Sequence, residues 1–352
     1  MNLWAYIFKR VLLMIPTLLG VLTLTFIVVQ FVPGGPVEQM VSQLRGKEGG
    51  AAGEAATAQG IYRGAQGISP KQLAELRQLY GFDKPPLQRY LDMLWQFAHF
   101  DLGRSYYHHE AVWTLIKERL PVSISLGLWN FLLTYLISIP LGIAKAVRHG
   151  SRFDVSTSIA VLAGYAIPGF VLGVLLLVLF AGGTWLQWFP LRGLVSDGWS
   201  QFSLWHKITD YLWHITLPVL AATAGSFAII TMLTKNAFLE EIRKQYVLTA
   251  RAKGLSERAV LWRHVLRNAL VPLVTGFPAA FIGAFFASSL LIETLFSLPG
   301  LGLLSYEAVM RRDYPVVMGS LYLFTLIGLF TKLIADLSYV WVDPRIQFGA
   351  LR

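Results

Sequence analysis

The sequence lacks cysteine entirely, and only 14% of its 352 residues are charged. Without cysteine, the chain has no disulfides, no thiolate metal ligands and no cysteine nucleophile. An ordinary soluble domain has about a quarter of its residues charged, so this composition does not fit a water-soluble core. The histidines form no HxH or HExxH pattern, and neither GxxxxGKS nor GxxxxGKT occurs. We therefore predict no zinc site, and we expect any ATP hydrolysis to come from another polypeptide.

Apolar residues make up 55% of the chain and fall into long runs. A membrane-spanning helix needs about 20 predominantly apolar residues. Six stretches meet this requirement: 11–32, 122–144, 156–182, 214–234, 269–293 and 315–341. We therefore predict an all-α integral membrane protein with about six transmembrane helices.

The positive charges indicate how these helices are oriented. The formal net charge is +10, and lysine and arginine concentrate in the loops 145–155 and 235–268. Short cytoplasmic loops retain such residues, so we place both loops and both termini in the cytoplasm, and we predict no nucleic-acid partner. The apolar stretch 11–32 is longer than the about 7–15 residues of a secretory signal, so we interpret it as an uncleaved helix.

This pattern divides the chain into three parts. Residues 1–32 form an N-terminal transmembrane helix, and residues 33–121 form a long periplasmic segment. Within that segment, the Gly- and Ala-rich stretch at about 46–67 is predicted to be a flexible insertion. Residues 122–352 form a five-helix core that contains a cytoplasmic loop at about 235–268.

The cytoplasmic loop has the residues of a helix, a tight turn and a second helix. Residues 242–253 are good helix formers, Gly254 can take the left-handed conformation that ends a helix, and Leu255 supplies the apolar contact after it. Ser256 then fits the N-cap of a second helix, with Glu257 in its first turn. Two interpretations remain open on these residues alone. The loop either transmits force from a soluble partner, or it is a solvated basic loop.

The segment Tyr246–Ser256 reads YVLTARAKGLS and resembles the ATPase-docking loop of binding-protein-dependent ABC importers, in the form found in B-type peptide and nickel permeases. Further matches to that family are dispersed along the chain in the expected order, at Pro33–Pro36, Tyr80–Pro85, Asp101–Ser105, Leu120–Gly127, Glu293–Gly302 and Asp343–Arg345. The segments 151–154, 164–168 and 208–218 look most like the Yej-type branch, which is associated with oligopeptides and the peptide antibiotic microcin C.

The resemblance implies a type I ABC importer permease fold with a large external loop region, in the bacterial inner membrane. It implies translocation of oligopeptides by a heterodimer with a second homologous permease, together with ABC ATPase subunits and a periplasmic peptide-binding protein. ATP and Mg²⁺ are then bound by the ATPase, and this chain carries no cofactor. The residues it assigns to ATPase coupling are Tyr246, Thr249, Ala250, Arg251, Ala252, Lys253, Gly254, Leu255 and Ser256.

Two further candidate sites each allow two interpretations. Glu293, with Pro299 and Gly300, either orients an external gate or is an ordinary interfacial carboxylate. Lys332 and Asp336, spaced i and i+4 in the last span, form either an ion relay or a structural ion pair. No substrate-lining residue can be assigned, because small and polar residues in spans also mediate helix packing.

An ion-coupled secondary peptide transporter is the main alternative function, and a membrane-embedded enzyme is a more distant one. An enzyme needs a nucleophile, an acid–base pair or metal ligands in a cavity. The one local cluster of such residues, His108–Glu110, consists of adjacent side chains that do not share a helix face. We therefore predict no catalytic residues.

Overall fold

The computed structural model describes residues 3–31, 83–182, 185–286 and 290–342. These residues form helices and turns, with one isolated antiparallel bridge between Arg104 and Ala111. The predictions for the Pro-Gly-Gly-Pro motif at 33–36, the insertion at 46–67 and the Asp-Pro-Arg motif at 343–345 lie outside the described residues.

The helices of the described residues are numbered in the order of the sequence. In chain order they are α1 (Leu3–Phe31), α2 (Pro86–Ala98), α3 (Val112–Val147), α4 (Arg152–Ala166), α5 (Gly169–Phe180), α6 (Leu204–Ile242), α7 (Gln245–Ala252), α8 (Glu257–Ala269), α9 (Val271–Phe286), α10 (Leu290–Leu295), α11 (Leu301–Met310) and α12 (Tyr314–Val342). Residues Val260–Val265 give α8 a stretch of π-helix.

Within the described residues, α1, α3, α6 and α12 are each long and apolar enough to cross a bilayer. The pairs α4–α5 and α8–α9 also qualify when each is counted as one bent span, with bends of 95° and 51°. The predicted number of about six spans is reached on that count. The predicted span 156–182 is not one straight helix. The helix is interrupted between α4 and α5 at Pro168, which has no amide hydrogen to donate to the preceding turn.

Two of the spanning helices are longer than their apolar runs. α3 begins at Val112, ten residues before the predicted span at 122, so the predicted domain boundary at 121 falls inside a continuous helix. α6 has 39 residues, which corresponds to about 58 Å of helix against a hydrocarbon core of about 30 Å. Their ends therefore extend past the lipid and carry the polar contacts described below.

The chain divides into two compact units. Unit 1 comprises Met1–Arg10, Arg119–Leu303 and Gly328–Arg352, and unit 2 comprises Val11–Glu118 and Leu304–Ile327. One core of unit 1 joins α3, α5, α6, α10 and the turn after it through Val122, Leu126, Leu177, Ile215, Leu217, Val219, Ala221, Ile292, Phe296 and Leu298.

Close helix packing in unit 1 depends on a small residue in α3. A Cβ atom placed on Gly127 would lie 1.5 Å from the carbonyl oxygen of Ala284 in α9. Glycine removes that clash, and membrane helices commonly approach each other at such residues.

Unit 2 is held together by a buried carboxylate. Asp313, between α11 and α12, is 2% exposed and accepts hydrogen bonds from the Ser105 hydroxyl and from the Tyr106 amide, the latter at 3.0 Å. The Ser105 hydroxyl in turn accepts from the His108 amide at 2.8 Å. Asp313 thereby fixes the turn before α3 against the start of α12.

We expect Asp313→Ala to destabilise the protein by about 1–3 kcal/mol, because it leaves buried donors without an acceptor. Thermal unfolding of the detergent-solubilised protein measures the effect. Asp83→Ala is the control, since Asp83 is exposed. Equal unfolding temperatures for the two variants would contradict the role of the buried carboxylate.

Candidate functional site

The turn between α7 and α8 has the geometry that its residues predict. Gly254 has a φ of +80°, the left-handed conformation that glycine adopts without strain. Its amide donates to the Arg251 carbonyl at 2.9 Å, and the Leu255 amide donates to the Ala250 carbonyl at 3.4 Å. These bonds give a donor to carbonyl groups that would otherwise lack a hydrogen-bond partner at the end of α7.

The second helix is capped and tied back to the first. The Ser256 side chain accepts from the Ala259 amide at 3.3 Å, as predicted for an N-cap. Arg251 donates from Nε and Nη2 to the two carboxylate oxygens of Glu257, at 2.8 and 3.0 Å. Such an exposed pair contributes at most about 1 kcal/mol to stability, but its two parallel bonds fix the angle between α7 and α8.

α7 has one buried face and one exposed face. Val247 and Ala250 are buried, whereas Leu248 is 49% exposed. Among the residues predicted for coupling, the exposed ones are Thr249, Arg251, Ala252, Lys253, Gly254, Leu255 and Ser256. Ala250 and the partly buried Tyr246 therefore hold the helix in place, and Leu248, which the motif did not single out, lies on the exposed face.

The buried face of α7 rests on a second core of unit 1. That core contains Ala146 of α3, Phe238 of α6, Val247 and Ala250 of α7, and Val260, Val265 and Ala269 of α8. Three other helices thus pack against the buried face of α7, and a displacement of α7 must move or deform the ends of α3 and α6.

Tyr246 joins three segments through its hydroxyl group. It donates to Glu241 Oε2 at 2.6 Å and accepts from Asn268 Nδ2 at 3.1 Å. Glu241 also pairs with Lys244. Burial, and then the bond to Glu241, raises the pKa of Tyr246, and the same carboxylate raises the pKa of Lys244. Both groups therefore stay protonated at neutral pH and keep the end of α6 joined to α7 and α8.

A buried charge cluster lies next to this core. The Asp154 carboxylate of α4 is 2.7 Å from Lys235 Nζ of α6 and 3.4 Å from Lys145 Nζ of α3. The three residues are only 3%, 8% and 0% exposed, respectively. The prediction that Lys145 and Lys235 are ordinary basic loop residues is wrong, because both lie inside helices and their ammonium groups turn inward to Asp154.

The remaining polar groups of the cluster are also satisfied. Lys145 donates to Thr157 Oγ1 at 2.9 Å and to Ser158 Oγ at 2.7 Å, while the Gly150 amide donates to Asp154 Oδ2 at 3.1 Å. Buried charges are tolerated only when they are paired and hydrogen-bonded in this way. The cluster fastens the ends of α3, α4 and α6 to one another.

The predicted gate residues lie together in unit 1. Glu293 is fully buried and its Oε2 accepts from the Leu303 amide at 2.7 Å. A Cβ atom on Gly300 would lie 2.2 Å from Glu293 Oε1, so the turn can wrap around the carboxylate only with glycine there. Pro299 is exposed on the same turn. The interpretation of Glu293 as an ordinary interfacial carboxylate is wrong because it is buried, and a role in gating stays a prediction.

Asp336 has a different partner from the one predicted. Its carboxylate lies 2.7 Å from Arg10 Nη2 and accepts from the Tyr6 hydroxyl at 3.0 Å, whereas Lys332 is exposed. The i, i+4 spacing in α12 predicted Lys332 as the partner of Asp336, but the guanidinium group of Arg10 in α1 forms the ion pair instead. The pair joins the N-terminal residues of α1 to α12. Across the described residues, no three histidine, aspartate or glutamate side chains are placed to hold a metal ion.

The described residues combine several apolar spans with a capped helical turn that packs on the ends of α3 and α6. Comparison with known proteins identifies the family of the chain. The model of the binding-protein-dependent transport system inner membrane component matches residues 138–348, and the chain belongs to this family. The predicted all-α, type I ABC-importer permease fold is confirmed. The chain is an integral inner-membrane permease subunit and not an enzyme, and a separate subunit hydrolyses ATP.

Three relatives cover nearly the whole chain. The peptidoglycan transport system permease protein YejB of Agrobacterium fabrum is 53% identical, over 98% of this chain and 98% of the relative. The inner membrane ABC transporter permease protein YejB of Escherichia coli O157:H7 is 55% identical, over 98% and 99%. The dipeptide transport system permease protein DppB of Escherichia coli K12 is 34% identical, over 97% and 98%. The resemblance to the Yej-type branch is thereby confirmed.

The turn at Gly254 can be tested with two substitutions of the same residue. Gly254→Val should open the turn, since a β-branched residue in the left-handed region costs about 1–2 kcal/mol, whereas Gly254→Asn should be tolerated. Limited trypsin cleavage next to the exposed Lys253 and Arg258 should be faster in the valine variant than in the asparagine variant. Indistinguishable cleavage would show that the left-handed turn does not order the loop.

The charge cluster can be tested with a double-mutant cycle. Asp154→Asn should destabilise the protein by about 3–5 kcal/mol because it leaves two buried ammonium groups without a carboxylate. Adding Lys235→Met should recover part of that loss, which thermal unfolding measures as a coupling between the two positions. Additive effects would contradict the cluster, and Asp197→Asn, at an exposed position, is the control.

Proposed function

We propose that this chain is one of two different permease subunits of an ATP-driven importer that carries oligopeptides into the cytoplasm. Its partners are a second, homologous permease, ABC ATPase subunits beneath it and a periplasmic peptide-binding protein above it. Both termini and the α7–α8 turn face the cytoplasm, in keeping with the lysines and arginines of that loop.

The exposed face of α7 is the single observation that carries the proposal. Leu248 and Leu255 are apolar and exposed, and Arg251 and Lys253 add positive charge beside them. A loop that only connects two spans does not need a helix that packs on three other helices. A helix that receives force from a soluble ATPase needs both parts, an accessible face and a stiff attachment.

The mechanism follows from that attachment. Closure of the ATPase subunits on ATP displaces α7, and its buried residues Val247 and Ala250 pass the movement to the core that contains the ends of α3 and α6. Because the Asp154 cluster joins α3, α4 and α6, these helices respond together. The pathway then opens outward and the binding protein releases its peptide. Hydrolysis of ATP restores the inward-facing arrangement.

The proposed substrate class, peptides, is inferred from the names of the relatives. One is a dipeptide permease by name and another is a peptidoglycan transport permease, and peptidoglycan contains short peptides. We extend this to oligopeptides, including peptide antibiotics such as microcin C. A permease for such varied cargo recognises backbone and charge, and so it needs no side-chain-specific pocket.

Coupling can be measured in the complex reconstituted with ATPase and loaded binding protein. Leu248→Asp should lower peptide-stimulated ATP hydrolysis at least tenfold, because a buried carboxylate at the docking contact is strongly disfavoured. Leu248→Met keeps the apolar contact and should retain the stimulation. Normal stimulation in the aspartate variant would show that α7 is not the coupling element.

The energy source separates this proposal from an ion-coupled peptide transporter. In vesicles held at constant ATP, an ionophore that collapses the membrane potential should leave peptide uptake unchanged. Omission of ATP should abolish that uptake. Uptake that follows the potential at constant ATP would reject the ATP-driven mechanism.

A further inference from the structure

Helix α2 has three distinct faces. At about 100° per residue, Tyr90, Met93 and Phe97 lie on one side, and Phe97 is buried. Asp92 and Gln96 lie on a polar side. The third side is apolar and exposed, so α2 is not the simple two-sided helix of a soluble domain.

The buried side of α2 packs on the C-terminal part of α1. The hydroxyl groups of Tyr90 and Thr23 are 2.6 Å apart, and the Tyr90 ring lies 5.3 Å from that of Phe26. Arg89 donates to Gln30 Oε1 at 2.7 Å. Thr23, Phe26 and Gln30 lie in the C-terminal part of the apolar helix α1, so these contacts hold α2 beside that end of the helix.

The third face carries large apolar side chains at four-residue spacing. Leu87, Leu91 and Trp95 are 70%, 55% and 71% exposed. Three such side chains in a row on a water-facing helix would oppose the hydrophobic effect. Tryptophan at the rim of such a stripe is typical of the membrane–water boundary.

The neighbouring surface of α1 is apolar as well. In the same part of α1 that holds Tyr90, the side chains of Leu24, Ile27 and Val28 are exposed. Exposed apolar side chains on a helix of spanning length suit contact with lipid. The helix that carries the stripe of α2 thus packs on a part of α1 that is itself apolar and exposed.

Polar groups line the opposite edge of α2. Lys84 and Asp92 form an ion pair at 2.7 Å, and both side chains are nearly half exposed. Their hydrogen bond raises the pKa of Lys84. An ion pair on this edge suits the headgroup and water layer, where charge is well solvated.

We propose that α2 is an interfacial helix that lies along the membrane, with Leu87, Leu91 and Trp95 inserted into the acyl chains of one leaflet. Lipid is the occupant because α2 packs on the C-terminal part of a helix long enough to span the bilayer, and the α1 side chains there are also apolar and exposed. The segment predicted as wholly periplasmic thus includes a helix in the bilayer surface. Insertion of this apolar face by about 5–10 Å into the headgroup–acyl boundary would fix the depth of α2 and so the position of the turn that follows it.

The absence of cysteine makes the test direct, since each single-cysteine variant carries one label. Leu91→Cys and Gln96→Cys place a spin label on the lipid side and on the polar side of the same helix. Both positions are exposed, so neither substitution removes a packing contact. Accessibility to oxygen, which partitions into lipid, and to a water-soluble nickel chelate is measured in the assembled complex in phospholipid nanodiscs.

The proposal expects the Leu91 label to be several-fold more accessible to oxygen than to the nickel chelate, and the Gln96 label to show the reverse. A Leu91 label reached by the chelate as readily as the Gln96 label would show a stripe in water. A Leu91 label reached by neither reagent would show that protein covers it. Either result overturns the proposal, whatever the transported substrate is.

Discussion

The organisation of unit 1 depends on one buried carboxylate between two ammonium groups. Asp154 lies within contact of Lys145 and Lys235, and none of the three is more than 8% exposed. A charge removed from water is costly unless it is paired and hydrogen-bonded, so the three helix ends that supply these residues must stay together. Apolar packing alone would allow α3, α4 and α6 to slide, since lipid tails solvate apolar side chains as well as neighbouring helices do.

α7, which we propose as the helix that contacts the ATPase, packs next to that cluster. Ala146 follows Lys145 in α3, and Phe238 lies one turn after Lys235 in α6, and both pack beneath α7. The charge cluster and the apolar core are therefore consecutive layers of the same helix ends. Gly254, the Ser256 cap and the Arg251–Glu257 pair then set the direction of α7 with local contacts. A stiff base and a precisely oriented exposed face are the two properties that force transmission from a soluble subunit requires.

Local chemistry could be predicted from the sequence, and long-range pairing could not. The left-handed Gly254 and the Ser256 cap depend on neighbouring residues, so their pattern was sufficient. Lys235 and Asp154 lie 81 positions apart, and nothing near either residue indicates that they meet. The Arg10–Asp336 pair was missed for the same reason.

The positions at which the spans bend could not be predicted from the sequence either. Hydropathy measures how apolar a run is but not its direction, so the 95° bend between α4 and α5 was not predicted. Proline in a membrane helix can end the helix, kink it or be accommodated within it, depending on the neighbouring groups. The face of α2 that we assign to lipid was missed because Leu87, Leu91 and Trp95 alternate with polar residues.

The most direct test of the account is photo-crosslinking from α7 to the ATPase subunit in the assembled complex. A benzophenone maleimide attached to Leu248→Cys should crosslink to the ATPase, with a yield that changes between the nucleotide-free and ATP-bound states. The same probe at Arg152→Cys, exposed in the other basic loop, should give little product. Absence of the Leu248 crosslink, or equal yields from the two loops, would contradict the assignment of α7 as the docking helix.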